Sequence, residues 1–353
     1  MKRSFVTGNW ILGSILSFVL IIAANAHSAT ILEYLTPTPD SSPTDLAFDA
    51  EGNLWFTEIN GNKIGKLDPA KVEPGTSKGI VEFDLPNANS KPHNIIVAKD
   101  GMVWFTEMGG NRIGRLDPRT GKIREYPIPT ANSEPHHLAE ADDGSIWFLE
   151  FEAHAVARLD PANGKIDEYK VQNGHPHDLV IVDGKVWYTL GGKFWAQIFF
   201  NQIGNLDPKT GKIGSITVPP EKSVPHGLTR TSQGDIWFTQ MFANKISKID
   251  LSAGDPGYID YLVPGKRKNP HDLVVDEKRG LVWFTENRAD SIGRLDLAEA
   301  KPGTDQGMQE FKIPTLKGHP HELALDKEGN VWFTEMGLYF RGKYQNKIGK
   351  LVP

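Results

Sequence analysis

Two residue types recur together along this 353-residue chain. A histidine follows a proline at His93, His136, His177, His226, His271 and His321, with Thr44 at the same place in the first unit. Thirteen to fifteen residues later stand Glu58, Glu107, Glu150, Leu190, Gln240, Glu286 and Glu335. Imidazoles and carboxylates gathered in one funnel can hold a divalent cation or exchange protons.

A site needs asymmetry, so the departures from the repeat carry more information than the repeat. Two positions before each ring residue the chain has Ser42, Lys91, Glu134, His175, Val224, Asn269 and His319. Glu134 is the one acid. With His93, His136 and Glu150 it makes a set of two carboxylates and two imidazoles. Blade seven carries His319-Pro320-His321, which Glu335 completes. In these clusters the imidazoles of His93, His136 and His321 could exchange protons, and Glu134, Glu150, Glu335 and His319 could hold a cation. A residue repeated in nearly every unit also suits a scaffold role, with each imidazole hydrogen-bonded to a neighbouring unit.

Positioning these residues requires a repeating architecture. A tryptophan between an apolar residue and an aromatic recurs at Trp55, Trp104, Trp147, Trp187, Trp237, Trp283 and Trp332, at the spacing of a four-stranded propeller blade. Each unit holds four short β-type runs (A to D) separated by Gly, Asp, Asn and Pro turns, with no helical periodicity between them. The last unit ends after run C at Lys347–Leu351, and the first begins with an orphan run D at Ile31–Leu35. Pairing them closes the ring and covers both edges. The expected fold is an all-β, seven-bladed propeller of four-stranded antiparallel blades, closed by the N-terminal strand joining the last blade. With strand A innermost, the histidines and glutamates are expected to encircle one mouth of the channel. Between runs B and C, units four and seven carry insertions rich in aromatic residues. Phe194, Trp195, Phe199 and Phe200 stand in one, and Leu338, Tyr339, Phe340 and Tyr344 in the other. These predict apolar lips beside the funnel, or a plug.

Composition narrows the classes. The chain has 39 Lys+Arg against 44 Asp+Glu, which leaves no basic footprint for nucleic acid. The absence of cysteine removes disulfides, thiolate metal sites and a cysteine nucleophile. Residues 1–26 read as a cleavable export signal: Lys2 and Arg3, an apolar stretch from Trp10 to Ala24, then Ala24-Asn25-Ala26. That stretch is short for a membrane span. The expected mature protein is one propeller domain, 27–353, periplasmic or secreted, with no membrane span.

The repeated Pro-His, Trp-Phe-Thr-Glu and Asn-(Lys/Arg)-Ile-Gly-Arg-Leu motifs, with Glu-Tyr-Pro-Ile-Pro closing a unit, resemble the streptogramin B lyase (virginiamycin B lyase) family over about residues 30–353. The resemblance implies a magnesium-dependent lyase that linearises a cyclic depsipeptide by elimination across an ester bond. It also implies two carboxylates and two histidines at the channel mouth on the last two blades. The matching positions are His271, His321 and Glu335, with His319 where a glutamate is expected. The complete pattern occurs instead on blades two and three, as His93, Glu134, His136 and Glu150. Mg2+ prefers oxygen ligands, so a histidine at 319 weakens the set on the last two blades.

Three functions follow as expectations. The first is lyase-like opening of a small cyclic ester, depsipeptide or lactone with a divalent cation, Mg2+ or another. The second is a non-catalytic propeller whose aromatic lips hold an unidentified protein, peptide or glycan. The third is a hydrolytic lactonase like the gluconolactonase propellers.

Overall fold

The computed structural model describes residues 29–172, 174–193, 198–250, 257–338 and 342–353. The predicted export signal, residues 1–26, lies outside them. Among the described residues every regular element is a strand, and no helix is long and apolar enough to cross a membrane.

The strands form seven four-stranded antiparallel sheets, each in the order A-B-C-D. Blade two is representative, with A at Pro92–Val97, B at Val103–Glu107, C at Arg112–Leu116 and D at Ile123–Pro127. The last blade is completed by the N-terminal strand Thr30–Leu35, which pairs with Lys343–Val352 from Thr30 opposite Val352 to Leu35 opposite Lys347. Closure by the chain's first strand is thus as the orphan run D predicts.

The cores lie between blades. In one of them Trp104 of blade two packs with Leu138, Ile146, Phe148 and Leu159 of blade three. Trp104 also stacks on Tyr126 of its own strand D, at 5.4 Å between ring centres. Each fully buried side chain of this size contributes roughly 1.5–3 kcal/mol. Strand C passes so close to strand B that a Cβ at Gly114 would lie 2.2 Å from the Phe105 ring. That explains the glycine in the Ile-Gly-Arg-Leu motif.

One irregularity recurs at the channel. The register between strands A and B shifts after each strand-A proline, for example between Pro92 and Ile95 and between Pro135 and Leu138. This bulge turns two consecutive side chains, the ring residue and its successor, out of the usual alternation. The aromatic insertions of blades four and seven are extensions of the hairpins. Strand pairing continues to Lys193 opposite Ile198 and to Leu338 opposite Lys343, so strands B and C project past the mouth. Phe194, Trp195, Tyr339 and Phe340 lie outside the described residues.

Candidate functional site

Six imidazoles form the predicted ring. Neighbouring ring centres are 4.0 Å apart for His93–His136, 5.0 Å for His136–His177 and 4.5 Å for His177–His226. They are 3.9 Å apart for His226–His271 and 4.1 Å for His271–His321. Across the Thr44 position, His321 and His93 stand 5.9 Å apart. All are buried except His136, which is half-buried.

A threonine on strand B of the preceding blade holds the ring backbone at six of the seven positions. Thr57 Oγ1 donates to His93 O at 2.8 Å, Thr106 to His136 O at 2.8 Å, and Thr334 to Thr44 O at 2.9 Å. Blade three has Leu149 in that place. There the His136 ring takes over, its Nδ1 donating to His177 O at 3.0 Å. His321 Nδ1 donates similarly to Thr44 O at 3.1 Å. Because a carbonyl can only accept, both rings carry the proton on Nδ1 and leave the Nε2 lone pair open.

Burial, followed by the charges of neighbouring imidazoles, drives His93, His136, His226 and His271 well below the ordinary histidine range. Burial likewise brings His177 and His321 to about 3, although each hydrogen bond to a carbonyl opposes it. The ring is neutral at physiological pH.

The strand-B glutamates are elsewhere. They were expected around the mouth, but they are fully buried and face the acid of their own strand D. The pairs are Glu58 with Glu82, Glu107 with Glu125, Glu150 with Glu168, Glu286 with Glu310, and Glu335 with Glu33. Their position follows from strand alternation: Glu107 shares a face with Phe105, whose partner Gly114 lies opposite Glu125. Burial, with the facing carboxylate second, pushes Glu150 to about 8; burial and the Glu33 charge do the same for Glu335. Blade five supplies the neutral analogue, Gln240, whose Nε2 donates to Asp260 at 2.9 Å. Glu150 and Glu335, raised to about 8, do likewise by keeping a proton, since two bare carboxylates cannot bond to each other.

Neither predicted metal set is therefore assembled. Glu150 is turned to Glu168 and Glu335 to Glu33. Glu134 and His319 are half-buried at left-handed turn positions, with φ of 50° and 49°, and His319 Nδ1 meets Asn287 Oδ1 at 3.3 Å. Among the described residues, neither predicted set brings three of its ligating atoms within 4.8 Å of one another. The histidines His93 and His136, and His271 and His321, do come together in adjacent pairs.

Sequence reasoning missed the belt formed by the successors of the ring residues: Asp45, Asn94, His137, Asp178, Gly227, Asp272 and Glu322. The repeated bulge turns these toward the axis. Asp45 accepts from Ile95 N at 2.8 Å, Asp178 from Leu228 N at 2.6 Å, and Asp272 from Leu323 N at 3.0 Å, tying neighbouring blades. His137 Nδ1 lies 2.8 Å from Asp178 Oδ1, and its Nε2 lies 3.9 Å from Glu322 Oε1. Burial works against a charged His137, but Asp178 by charge and hydrogen bond, then Asp45 and Asp272, outweigh it and raise the ring to about 9. Burial raises Glu322 well above the carboxylate range, reinforced by Asp272 and Asp45. Among the described residues, two groups bring metal-ligating atoms within 4.8 Å of one another: His93, His136 and His137, and His271, His321 and Glu322. The signal was one residue past each repeated histidine, where the residue type varies most in charge.

The sequence profile of the virginiamycin B lyase family matches residues 21–150 and 120–339. Among solved structures, a streptogramin B lyase is 30% identical with a TM-score of 0.78, over 92% of this chain and 97% of its own. Virginiamycin B lyase from Staphylococcus aureus gives the same TM-score at 27% identity, over 92% of this chain and 99% of its own. A catalytically inactive histidine-to-alanine variant of that enzyme, with quinupristin, matches equally. Kuenenia stuttgartiensis hydrazine synthase, 11% identical with a TM-score of 0.71, shares the fold alone. No curated protein matches the sequence.

Proposed function

The chain belongs to the virginiamycin B lyase family, and on that premise we propose that it opens a cyclic depsipeptide by elimination, with His321 as the base. The observation that carries this is the state of His321. It is neutral, its tautomer is set by Thr44 O, and it sits in the ring at the channel mouth beside a projecting hairpin. Its Nε2 takes the proton from the carbon α to a carbonyl. The electron pair left behind forms a carbon–carbon double bond while the neighbouring ester C–O bond breaks and the carboxylate leaves. No water is consumed. Thr44 O, which accepts from His321 Nδ1 at 3.1 Å, holds that N–H as the imidazolium forms. His271, its ring neighbour, packs against it at 4.1 Å between ring centres.

Part of the same proposal is export through residues 1–26, which has the enzyme meeting its substrate outside the cytoplasm. Apolar side chains at the mouth suit a hydrophobic macrocycle: Phe199 packs on Phe242 at 5.2 Å between ring centres, and Phe200 lies beside His175.

The test is incubation with quinupristin in oxygen-18 water, followed by mass spectrometry. A linear product of unchanged mass with a new double bond is expected, and His321→Gln should slow it by roughly 10²–10⁴-fold. Heavy oxygen in the product would make the protein a hydrolase. Turnover unaffected by His321→Gln would remove the assigned base.

A further inference from the structure

We propose that His93, His136 and His137 form a binding site for a borderline transition-metal ion of the Zn2+ class, inside the channel on blades two and three. Their ligating atoms lie within 4.8 Å of one another, and His93 and His137 are buried while His136 is half-buried. The surroundings of all three suit ligation. Metal-bound histidines ordinarily donate their second ring N–H to a carbonyl or carboxylate, which fixes the ring and leaves the other nitrogen for the metal. His136 Nδ1 does this to His177 O at 3.0 Å, and His137 Nδ1 to Asp178 Oδ1 at 2.8 Å. His93 is 5% exposed, and its Nδ1 has no hydrogen-bond partner, an arrangement that is costly unless something binds the ring.

Charge argues in the same direction. The belt crossing the channel holds four buried carboxyl groups, Asp45, Asp178, Asp272 and Glu322, and His137 is its one basic side chain. A divalent ion there replaces the proton that His137 otherwise carries between Asp178 and Glu322, and it adds positive charge where the acids outnumber the bases. Three imidazoles select Zn2+, Co2+, Ni2+ or Cu2+ over Mg2+. The site arises because blade three departs from the repeat twice: Leu149 replaces a threonine and frees the His177 carbonyl for His136, and His137 replaces an acid or amide. It stands or falls separately from the lyase reading, since it concerns ion binding and uses neither His271 nor His321.

Isothermal titration of Zn2+ and Mg2+ into the metal-stripped full chain tests it, with Co2+ absorption spectra reporting the ligand field. One Zn2+ per chain is expected, undisturbed by excess Mg2+, with the intense visible bands of low-coordinate Co2+. His93→Gln and His137→Gln should each weaken binding by at least ~100-fold, and Asp178→Asn by about 10–100-fold. Glu134→Gln and Glu335→Gln should leave it unchanged. Absence of Zn2+ uptake, displacement by Mg2+, or loss of binding in Glu134→Gln would overturn the assignment. Loss in His271→Gln with retention in His93→Gln would do so too, by moving the ion across the channel. Thermal unfolding establishes that each variant is folded; should His137→Gln not fold, His93→Gln and the Co2+ spectrum decide.

Discussion

Blade three and blade seven start from the same plan and end with opposite chemistry. Each presents a ring histidine whose Nδ1 donates to the next ring carbonyl, His136 to His177 O and His321 to Thr44 O. Each has a strand-B glutamate buried against a strand-D glutamate, raised to about 8. The difference is the next residue along. In blade three it is His137, held charged between carboxylates; in blade seven it is Glu322, held protonated among them. At this belt position blade three therefore offers nitrogen and blade seven oxygen, and the two meet at the 3.9 Å contact of His137 Nε2 with Glu322 Oε1. A ring of near-identical blades acquires distinct sites by changing the residue the bulge turns toward the axis, leaving the repeated imidazole alone.

The largest test of that contrast is His137→Ala. Removing the one base from the acidic belt leaves buried charge uncompensated and should cost about 3–5 kcal/mol in urea unfolding at neutral pH. The sign with pH is specific. The folded value of about 9 lies above the ordinary 6.5, so the His137 contribution is complete below pH 6.5 and disappears as pH rises through 9. The gap between wild type and variant should close over that window; a constant gap would mean that His137 acts by packing alone.

Next comes Thr334→Val, which makes blade seven resemble blade three at the Leu149 position. Thr334 Oγ1 donates to Thr44 O and accepts from Glu322 N at 3.2 Å. Losing both buried bonds should cost about 1–2 kcal/mol, softened because His321 still serves the same carbonyl. A loss as small as that of an exposed substitution would show that the hydroxyl does not position the ring.

The smallest effect concerns what the blades share. Glu150 and Glu335 keep their protons when the unfolded chain has lost them, so each pair reduces stability as pH rises from 4.5 through 8. Glu150→Gln and Glu335→Gln copy Gln240 and should each raise stability by about 1 kcal/mol at pH 9, with no gain at pH 5. Chemical denaturation at the two pH values measures this. Unequal behaviour of the two variants would break the equivalence drawn between the blades.

The sequence alone determined the architecture of this protein. Seven Trp-centred units of four short runs, with an orphan strand at Ile31–Leu35, leave little choice but a closed propeller, because unpaired edges and one-sided hydrophobic strands must be covered. It also placed the six histidines in one ring, since they hold the same position on the same innermost strand. Tertiary structure decided the direction of everything next to them. Spacing put Glu150 and Glu335 at the mouth end of strand B, but strand parity turned their carboxyls into the blade, against Glu168 and Glu33. Spacing said nothing of His137 and Glu322, because their approach depends on a bulge in strand A and on partners some forty or more residues away across the channel. His137 Nε2 and Glu322 Oε1 come within 3.9 Å of each other from blades three and seven through the curvature of the whole ring, a distance fixed by closure and by no local pattern.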